Sequence, residues 1–464
     1  MRAAAPFDPA RLAGPAVLVL VPLVLFHDAV FEGRVFYYRD VHLQWVGQME
    51  ALVRGLAAGS WPLWNPYASF GQPLLANANY QVLYPPTWLN LLMAPWTYYT
   101  VFVVGHFVIS AAGLFAFVRR LGLSSLAATL GAALWVASGP FVSLVSLWNH
   151  LAGAAWIPWS AWAAETALAG GRWWTAVLWG ALLAAPVLAG SPESALMAGL
   201  VSAVVALRHI PRWRRTVAFT LAALAVGAGL SAAQWVPSVE LAARSVRGLL
   251  TDEQRTLWSL HPVTLLLTAC PALLDAMPLR TDVRALLFDA REPYLPSLYL
   301  GLPAAAMVAA GLTSRRRLTW TLAAMGVLAA LVAVGRHGPV YEAALTVFPP
   351  LRALRFPAKA LLVAALAFSV VAAAGFEAWS AAAPKTAARR VGDVALVVGA
   401  AMGLGAALVV WVGRDEVGSV LLEPLYTRRS FAALIAPLAT AVAAAGAAAA
   451  AVALLSLARA RLPP

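Results

Sequence analysis

The chain has 464 residues, of which 62% are hydrophobic and 11% are charged, and its mean hydropathy is +0.77. Soluble domains carry about 25% charged residues. The composition therefore excludes a soluble enzyme, a disordered chain and a nucleic-acid-binding protein, although the net charge is +13. The lone Cys270 excludes an intrachain disulfide and a cysteine-rich metal site. We expect an all-α polytopic membrane protein.

A membrane-spanning helix needs about 20 predominantly apolar residues. Such runs predict about twelve transmembrane helices, with a range of about ten to fourteen. The predicted spans are residues 12–31, 97–118, 123–142, 150–168, 173–189, 193–207, 216–236, 295–313, 318–335, 358–379, 394–412 and 431–457. The fifth and sixth are short and meet at Gly190-Ser191-Pro192-Glu193, so they could also form a re-entrant pair.

Basic residues in short connections set the orientation. Arginines and Lys385 fill alternate short loops, which predicts that these loops and both termini are cytoplasmic. The long segments, at 32–96, 237–294, 336–357 and 413–430, then lie outside with most carboxylates. We expect three regions: 1–96 with the first helix and first outer loop, 97–379 as a transmembrane core, and 380–464 as a C-terminal two-helix segment.

The first outer loop begins with Arg39-Asp40 and continues into an amphipathic stretch. One face is apolar and the other polar, with His42 as the exception; the apolar residues are Val41, Trp45, Met49, Leu52 and Leu56, and the polar ones Asp40, Gln44 and Gln48. Such a helix is predicted to lie in the membrane interface and to hold Asp40 and Gln44 at the water boundary.

Amides and aromatic rings follow in the same loop, among them Trp64, Asn65, Gln72, Asn79, Gln81 and Tyr84. Together they are typical of a carbohydrate site. They are equally compatible with an interfacial loop built from ordinary turn residues. Composition favours neither interpretation.

An ordered set of motifs over about residues 30 to 376 resembles the bacterial YfhO-like membrane proteins, which belong to the GT-C class of glycosyltransferases. The motifs are Arg39-Asp40 with Gln44; Trp64-Asn65-Pro66; Phe70-Gly71-Gln72-Pro73; Tyr84-Pro85; Gly190-Ser191-Pro192-Glu193; Gln234 to Pro237 with Glu240, Ser245 and Arg247; Tyr299, Gly301 and Pro303; Gly335-Arg336, Gly338-Pro339 and Tyr341; and Pro350 to Arg355 with Pro357 and Lys359. Residues 380 to 464 carry no part of this resemblance.

The resemblance implies transfer of a sugar from a polyprenyl-phosphate carrier to an extracytoplasmic acceptor, on the outer face of the bacterial cytoplasmic membrane. It places the acidic residue of the first outer loop at Asp40, which we expect to act as general base. An ion pair with Arg39 or a helix cap is the structural alternative. Asp28 and Glu32 are rival acids. In this loop we expect substrate contacts from Arg39, Gln44, Asn65, Gln72, Asn79, Gln81 and Tyr84.

A lipid-phosphate leaving group calls for fixed cations at the outer interface. The residues expected to bind it are Arg247, Arg336, Arg352, Arg355 and Lys359. Each alone could instead reach for water or anionic lipid, and Arg247 could pair with Glu240 or Glu253. Glu193 and Glu240 are expected beside the substrate, although a helix dipole also favours Glu193. Asp40, Glu193, Arg247 and the cations at 352–359 should converge on one outward cavity.

No Walker-type phosphate loop is present, which argues against ATP-driven transport, and no helical pair of histidines occurs. Because a lipid-phosphate donor has no diphosphate to bind, we expect that no cofactor is required, and a divalent cation at the acidic residues stays open. The expected partners are the lipid-linked sugar, membrane lipid and an extracytoplasmic acceptor, with no nucleic acid. The alternatives are a transporter or lipid-carrier flippase, and a non-catalytic envelope assembly protein. Charges outside the spans and the lack of inverted repeats favour the enzyme.

Overall fold

The computed structural model describes residues 10–245, 250–271, 279–314, 316–381, 386–413 and 431–461. These residues are mainly helical, with a two-stranded antiparallel sheet that pairs Trp64–Asn65 with Gln72–Pro73. The α-helices, numbered in chain order, are α1 (Ala10–Leu25), α2 (His27–Phe31), α3 (Val46–Ala57), α4 (Pro95–Arg120), α5 (Ser125–Val136), α6 (Gly139–Val142), α7 (Trp148–Ala155), α8 (Ile157–Leu168), α9 (Trp173–Leu188), α10 (Pro192–Leu207), α11 (Trp213–Leu230), α12 (Ala232–Ala243), α13 (Asp252–Thr256), α14 (Thr281–Phe288), α15 (Leu302–Leu312), α16 (Arg317–Ala333), α17 (Pro339–Val347), α18 (Leu361–Ala381), α19 (Ala387–Val412) and α20 (Phe431–Arg461). The all-α prediction is confirmed.

Short helical turns connect these elements. A π-helical turn spans Val41–Trp45. The 3₁₀ turns are Ala78–Tyr80, Pro85–Leu91, Ser143–Ser146, Ile210–Arg212, Pro262–Thr268, Gly335–His337, Pro349–Ala353 and Pro357–Ala360.

The chain divides into two compact units, the first formed by Met1–Ala137 with Leu144–Gly248. Helix α4 is central to this unit and packs against α1, α5, α7 and α8. The helix begins at Pro95, a residue without a backbone N–H, at a position where an N–H would have no hydrogen-bond partner within the helix. Its last turn carries Arg119 and Arg120, whose positive charges are favourable at the negative end of the helix dipole. Gly113 lets the Trp159 ring of α8 approach the α4 backbone, because a Cβ at Gly113 would overlap that ring.

The second unit comprises Ser138–Ser143 with Leu249–Pro464. Helix α18 is largely buried and packs against α15 and α16, while α19 packs against α15 and α20. The two helices α18 and α15 approach closely at Gly375, where a Cβ would overlap the Met307 carbonyl of α15. Small residues at such contacts are the usual means by which membrane helices pack.

Five helices in the described residues are long and apolar enough to cross a membrane: Pro95–Arg120, Ile210–Ala243, Pro357–Ala381, Ala387–Val412 and Ala436–Ala458. Ser125–Val136 and Gly139–Ser146 together meet the same criterion as a bent pair. Shorter apolar helices coincide with five further predicted spans: Gly14–Leu25, Trp173–Leu188, Pro192–Leu207, Leu302–Leu312 and Arg317–Ala333. The protein is a multi-pass membrane protein, and its orientation stays a prediction.

Among the boundaries that differ from the prediction, the starts of two spans shift clearly. The span expected at 295–313 begins only at Leu302, because the preceding residues are extended and the Tyr299 carbonyl accepts a hydrogen bond from the N–H of Gly139 at 2.7 Å. Gly301, with φ of +100°, then turns the chain into α15. Conversely, the span expected at 394–412 begins earlier, at Ala387, where the Thr386 hydroxyl caps the helix.

Candidate functional site

Asp40 lies in the first unit between two uncommon backbone segments. Arg39 has a φ of +55°, in the left-handed region that side chains other than glycine seldom adopt. The π-helical turn Val41–Trp45 follows Asp40 directly. Strained residues and π turns both cluster at functional sites. They cost free energy, so they persist only where the surrounding structure holds them in place.

The amphipathic helix supplies that support. Trp45 and Met49 are fully buried, and the Trp45 ring stacks on Tyr98 at 5.8 Å and meets Tyr99 edge-on at 4.6 Å. Gln44, on the opposite face, is exposed. The predicted amphipathic pattern is confirmed, but its apolar face is buried against the protein and not presented to lipid.

The surroundings of Asp40 make its carboxylate more basic than an ordinary aspartate. Burial raises the pKa of its carboxyl above the ordinary value, and attraction to the Arg39 guanidinium lowers it in part. The side chain makes no capping hydrogen bond to the turn that follows, which argues against the helix-cap alternative. The carboxylate is also near enough to Tyr99 to interact electrostatically. A half-buried carboxylate with a raised pKa is a better proton acceptor than one in water.

Several predicted amides of the outer loop are buried and structural. Asn65 donates to the Tyr80 hydroxyl at 2.9 Å and accepts from the backbone N–H of Tyr67 at 2.9 Å. Gln81, also buried, donates to the Ala189 carbonyl at 2.7 Å. The Asn65 bonds link residues within the loop, and the Gln81 bond joins the loop to Ala189, so both side chains hold the loop in position.

Asn79 belongs to the same framework. Its side-chain oxygen accepts from Asn149 at 3.0 Å, and Asn149 also donates to the Gly190 carbonyl at 3.1 Å. Gly190 has a φ of +74°, and a Cβ there would overlap the Ala78 carbonyl. Glycine is therefore required at the start of the Gly190-Ser191-Pro192-Glu193 motif, whose Glu193 lies in the first turn of α10.

Tyr84 is the centre of a buried three-residue network. Its hydroxyl lies 2.7 Å from His106 Nε2 and accepts from Trp156 Nε1 at 2.8 Å. His106 Nδ1 lies 2.6 Å from the Phe102 carbonyl, so the Nδ1–H donates a hydrogen bond to that carbonyl. The unprotonated Nε2 then accepts a hydrogen bond from the Tyr84 hydroxyl. Burial raises the pKa of Tyr84 well above its usual value, which keeps the hydroxyl protonated.

Tyr84→Phe is expected to destabilise the protein by about 1–3 kcal/mol, because buried His106 and Trp156 would lose their shared partner. Thermal unfolding in detergent measures the change. Tyr67→Phe is the matched control, since the Tyr67 side chain is 69% exposed. An unchanged melting temperature with a raised donor KM in Tyr84→Phe would instead support the predicted substrate contact.

The second unit contains a cluster of three aromatic rings, Trp258, Tyr294 and Phe356, with ring centroids 4.5 to 5.5 Å apart. We call it the aromatic cluster. Trp258 and Phe356 have φ values of +55° and +69°, and Asp289 and Ala290 are also left-handed. Bulky residues with positive φ are strained. Three separate loops around the rings therefore adopt backbone conformations that their residues do not favour locally.

Lysine and arginine side chains lie over the faces of these rings. Lys359 is only 6% exposed, and its Nζ lies 5.0 Å from the Phe356 centroid and 5.6 Å from that of Tyr294. The Arg355 guanidinium lies 4.7 Å from the Phe356 centroid, and that of Arg291 lies 5.6 Å from Trp258. These are cation–π distances. The aromatic cluster and its cations are a candidate site for an anion.

Other predicted cations have structural contacts. Arg336 forms an ion pair with Asp289, whose other carboxylate oxygen accepts from the backbone N–H of Trp258 at 3.0 Å. Arg352 is exposed, and its carbonyl accepts from Arg255 Nε at 2.9 Å. Sequence reasoning missed the aromatic residues of the cluster, as well as Asp289 and the buried Arg255, because their proximity depends on loops far apart in the chain.

The remaining predicted residues are dispersed. Glu240 pairs with Arg244 at 2.7 Å on an exposed helix face, and Arg247 lies outside the described residues. Gln72 pairs with Asn65 across the two-stranded sheet. Asp40 and Glu193 belong to the first unit, and the cations at 352–359 to the second. Their convergence stays a prediction.

The rival acids form a small acidic group with a histidine. Ligand atoms of His27, Asp28 and Glu32 lie within 4.8 Å of one another, a spacing that a divalent cation would fit. Arg34 already ion-pairs with Asp28 at 2.7 Å and with Glu32 at 3.5 Å. The group is exposed and has its own counter-charge, so a cation there stays a prediction.

The fold resembles that of a solved protein. The crystal structure of ArnT from Cupriavidus metallidurans bound to undecaprenyl phosphate aligns with a TM-score of 0.50 and 14% identity over 97% of this chain and 78% of that one. The chain therefore shares its overall helical membrane fold with that structure. At this identity the likeness concerns the fold alone. No protein-family model and no curated protein matches the sequence, so the resemblance to YfhO-like proteins stays a prediction.

Proposed function

We propose that the protein is a membrane glycosyltransferase that moves a sugar from a polyprenyl-phosphate carrier to an extracytoplasmic acceptor, with Asp40 as general base. The observation that carries the proposal is the setting of Asp40: a half-buried carboxyl of raised pKa, between a left-handed Arg39 and a π turn. The helical membrane fold shared with ArnT supports the same reaction class.

In the proposed reaction the acceptor hydroxyl attacks the anomeric carbon while Asp40 takes its proton. The bond between the anomeric carbon and the phosphate oxygen breaks, and its electron pair leaves with the polyprenyl phosphate. The configuration at the anomeric carbon inverts, and the protonated Asp40 returns its proton to water. No other reactant is needed.

The aromatic cluster and its cations are the proposed site for the carrier phosphate. Lys359 and Arg355 would stabilise the phosphate as it gains charge, and the burial of Lys359 strengthens its attraction because water screens the charge less.

The proposal is tested with purified protein in proteoliposomes, supplied with radiolabelled polyprenyl-phosphate sugars and a membrane extract as acceptor source. Protein-dependent transfer of label to a new product, with release of polyprenyl phosphate, supports it. Transfer from no polyprenyl-phosphate sugar, in protein that is folded and inserted, contradicts it.

The pH dependence of transfer provides a second test. Asp40 must be deprotonated to act, so kcat/KM is expected to fall as the pH drops through its raised pKa, on a limb above the usual Asp range. Arg39→Gln removes the attraction that lowers this pKa and should move the limb to still higher pH. A limb that does not move in Arg39→Gln would contradict Asp40 as the titrating base.

A further inference from the structure

The hairpin at residues 61–73 presents apolar rings outward. Its exposed aromatic side chains are Trp61, Trp64, Tyr67 and Phe70, of which Phe70 is fully exposed. Leu63 is exposed beside them. We call these residues the aromatic hairpin. Contiguous exposed apolar surface of this kind marks an interaction site.

The aromatic hairpin is rigidly built. Its strands pair Trp64 with Pro73 and Asn65 with Gln72, and the buried Asn65 ties its base to Tyr80. At the tip, Ser69, Phe70 and Gly71 have φ values of +45°, +64° and +106°. Gly71 lies directly against the Trp64 ring. Three successive left-handed residues keep Phe70 turned outward at a local energetic cost, which indicates a presented surface.

The segment around the aromatic hairpin carries no charge. Residues 55 to 94 contain no Asp, Glu, Lys, Arg or His, although they lie outside the predicted spans. By contrast, residues 252 to 255 in another long outer segment include Asp252, Glu253 and Arg255. Loops in water carry charges, whereas neutral segments rich in Trp and Tyr are typical of the membrane interface.

The aromatic hairpin is also continuous with a membrane-spanning helix. Trp61 faces Trp88 at 6.0 Å, and Trp88 lies in the 3₁₀ turn Pro85–Leu91. Leu91 and Leu92 are exposed, and α4 begins three residues later at Pro95. The same apolar surface therefore passes from the hairpin to the end of a span.

We propose that the aromatic hairpin inserts into the lipid headgroup region of the leaflet at the Pro95 end of α4. Its partner is the phospholipid bilayer, since a neutral aromatic surface joined to a span matches the bilayer interface. Helix α3 connects the aromatic hairpin to the π turn after Asp40, so the anchor fixes the depth of Asp40. The inference goes beyond the proposed reaction and does not depend on it.

Depth-dependent quenching tests the anchor. In a Cys270→Ser background, Phe70→Cys is labelled with an environment-sensitive fluorophore in phosphatidylcholine nanodiscs. Shallow spin-labelled lipids are expected to quench this label at least about twofold more than a label at Glu50→Cys, because an interfacial segment lies about 5–10 Å deep. Glu50 is the matched control, as an exposed residue on the polar face of α3. Aqueous iodide should quench in the opposite order.

Equal quenching of both labels by iodide would overturn the proposal. So would shielding of position 70 that requires added oligosaccharide, which indicates a carbohydrate site, or native membranes, which indicates a protein partner. Tyr67→Cys repeats the measurement on the same hairpin if Phe70→Cys does not fold, as judged by gel filtration and melting temperature.

Discussion

Asp40→Asn is expected to lower kcat/KM for sugar transfer by about 10²- to 10⁴-fold, the usual contribution of a general base. Asparagine matches aspartate in size and keeps one oxygen, but it cannot take the acceptor proton. The half-buried position of Asp40 limits replacement of its role by bulk water. Transfer to the membrane-extract acceptor by purified protein in proteoliposomes measures the loss, and the amount inserted is matched between variants.

Asp28→Asn is the matched control. Asp28 is partly exposed, ion-pairs with the exposed Arg34, and lies in the first turn of α2, twelve residues before Asp40 in the chain. Its loss should leave transfer within about threefold of the parent, because an exposed ion pair contributes little. If Asp40→Asn transfers as well as the parent while Asp28→Asn is inactive, the base is Asp28. If neither variant loses activity, neither Asp40 nor Asp28 is the base.

Apolar runs carried most of the fold prediction, since length and hydrophobicity decide whether a segment can cross a membrane. Of the twelve predicted spans, six coincide with helices, one of them a bent pair, that meet these criteria in the described residues, and five with shorter apolar helices. The span predicted at 150–168 is divided between α7 and α8. The amphipathic pattern at Val41 to Leu52 likewise identified the buried face. The pattern does not encode what covers that face, and here the rings of Tyr98 and Tyr99 do so.

The candidate site was harder to predict because one residue type serves opposite purposes. Asn65 and Gln81 resemble carbohydrate ligands in the sequence, yet both are buried and hydrogen-bonded across the fold. Burial depends on contacts with residues such as Ala189, far along the chain. The left-handed φ of Arg39 was equally hidden, since arginine carries no local preference for that conformation.

The aromatic cluster shows the same limit. Lys359 and Arg355 were predicted from their place at the start of a span, but Tyr294 reaches Lys359 from another loop and Trp258 contacts the neighbouring Phe356 from a third. Neither spacing nor composition links positions so distant. Only the tertiary structure distinguishes the buried Lys359 from the exposed Arg352, and this distinction supplies a test.

Lys359→Met is expected to weaken binding of polyprenyl phosphate by about 10- to 100-fold. A charge-assisted hydrogen bond contributes about 1.5–3 kcal/mol, and about 1.4 kcal/mol corresponds to a tenfold change in affinity. Methionine is of similar length and fills the space beside Tyr294 and Phe356, so the aromatic cluster keeps its packing. Titration of the solubilised protein with polyprenyl phosphate measures the affinity, and thermal unfolding reports on the fold.

Arg352→Gln is the matched control for the same measurement. Its side chain is exposed, so salt and water screen its charge, and affinity should change by less than about threefold. Equal weakening in both variants would indicate general attraction by positive charge and contradict a defined phosphate site at Lys359. A lower melting temperature in Lys359→Met with unchanged affinity would assign Lys359 a structural role. Weakening in Lys359→Met alone, at an unchanged melting temperature, would locate the phosphate at the buried amine.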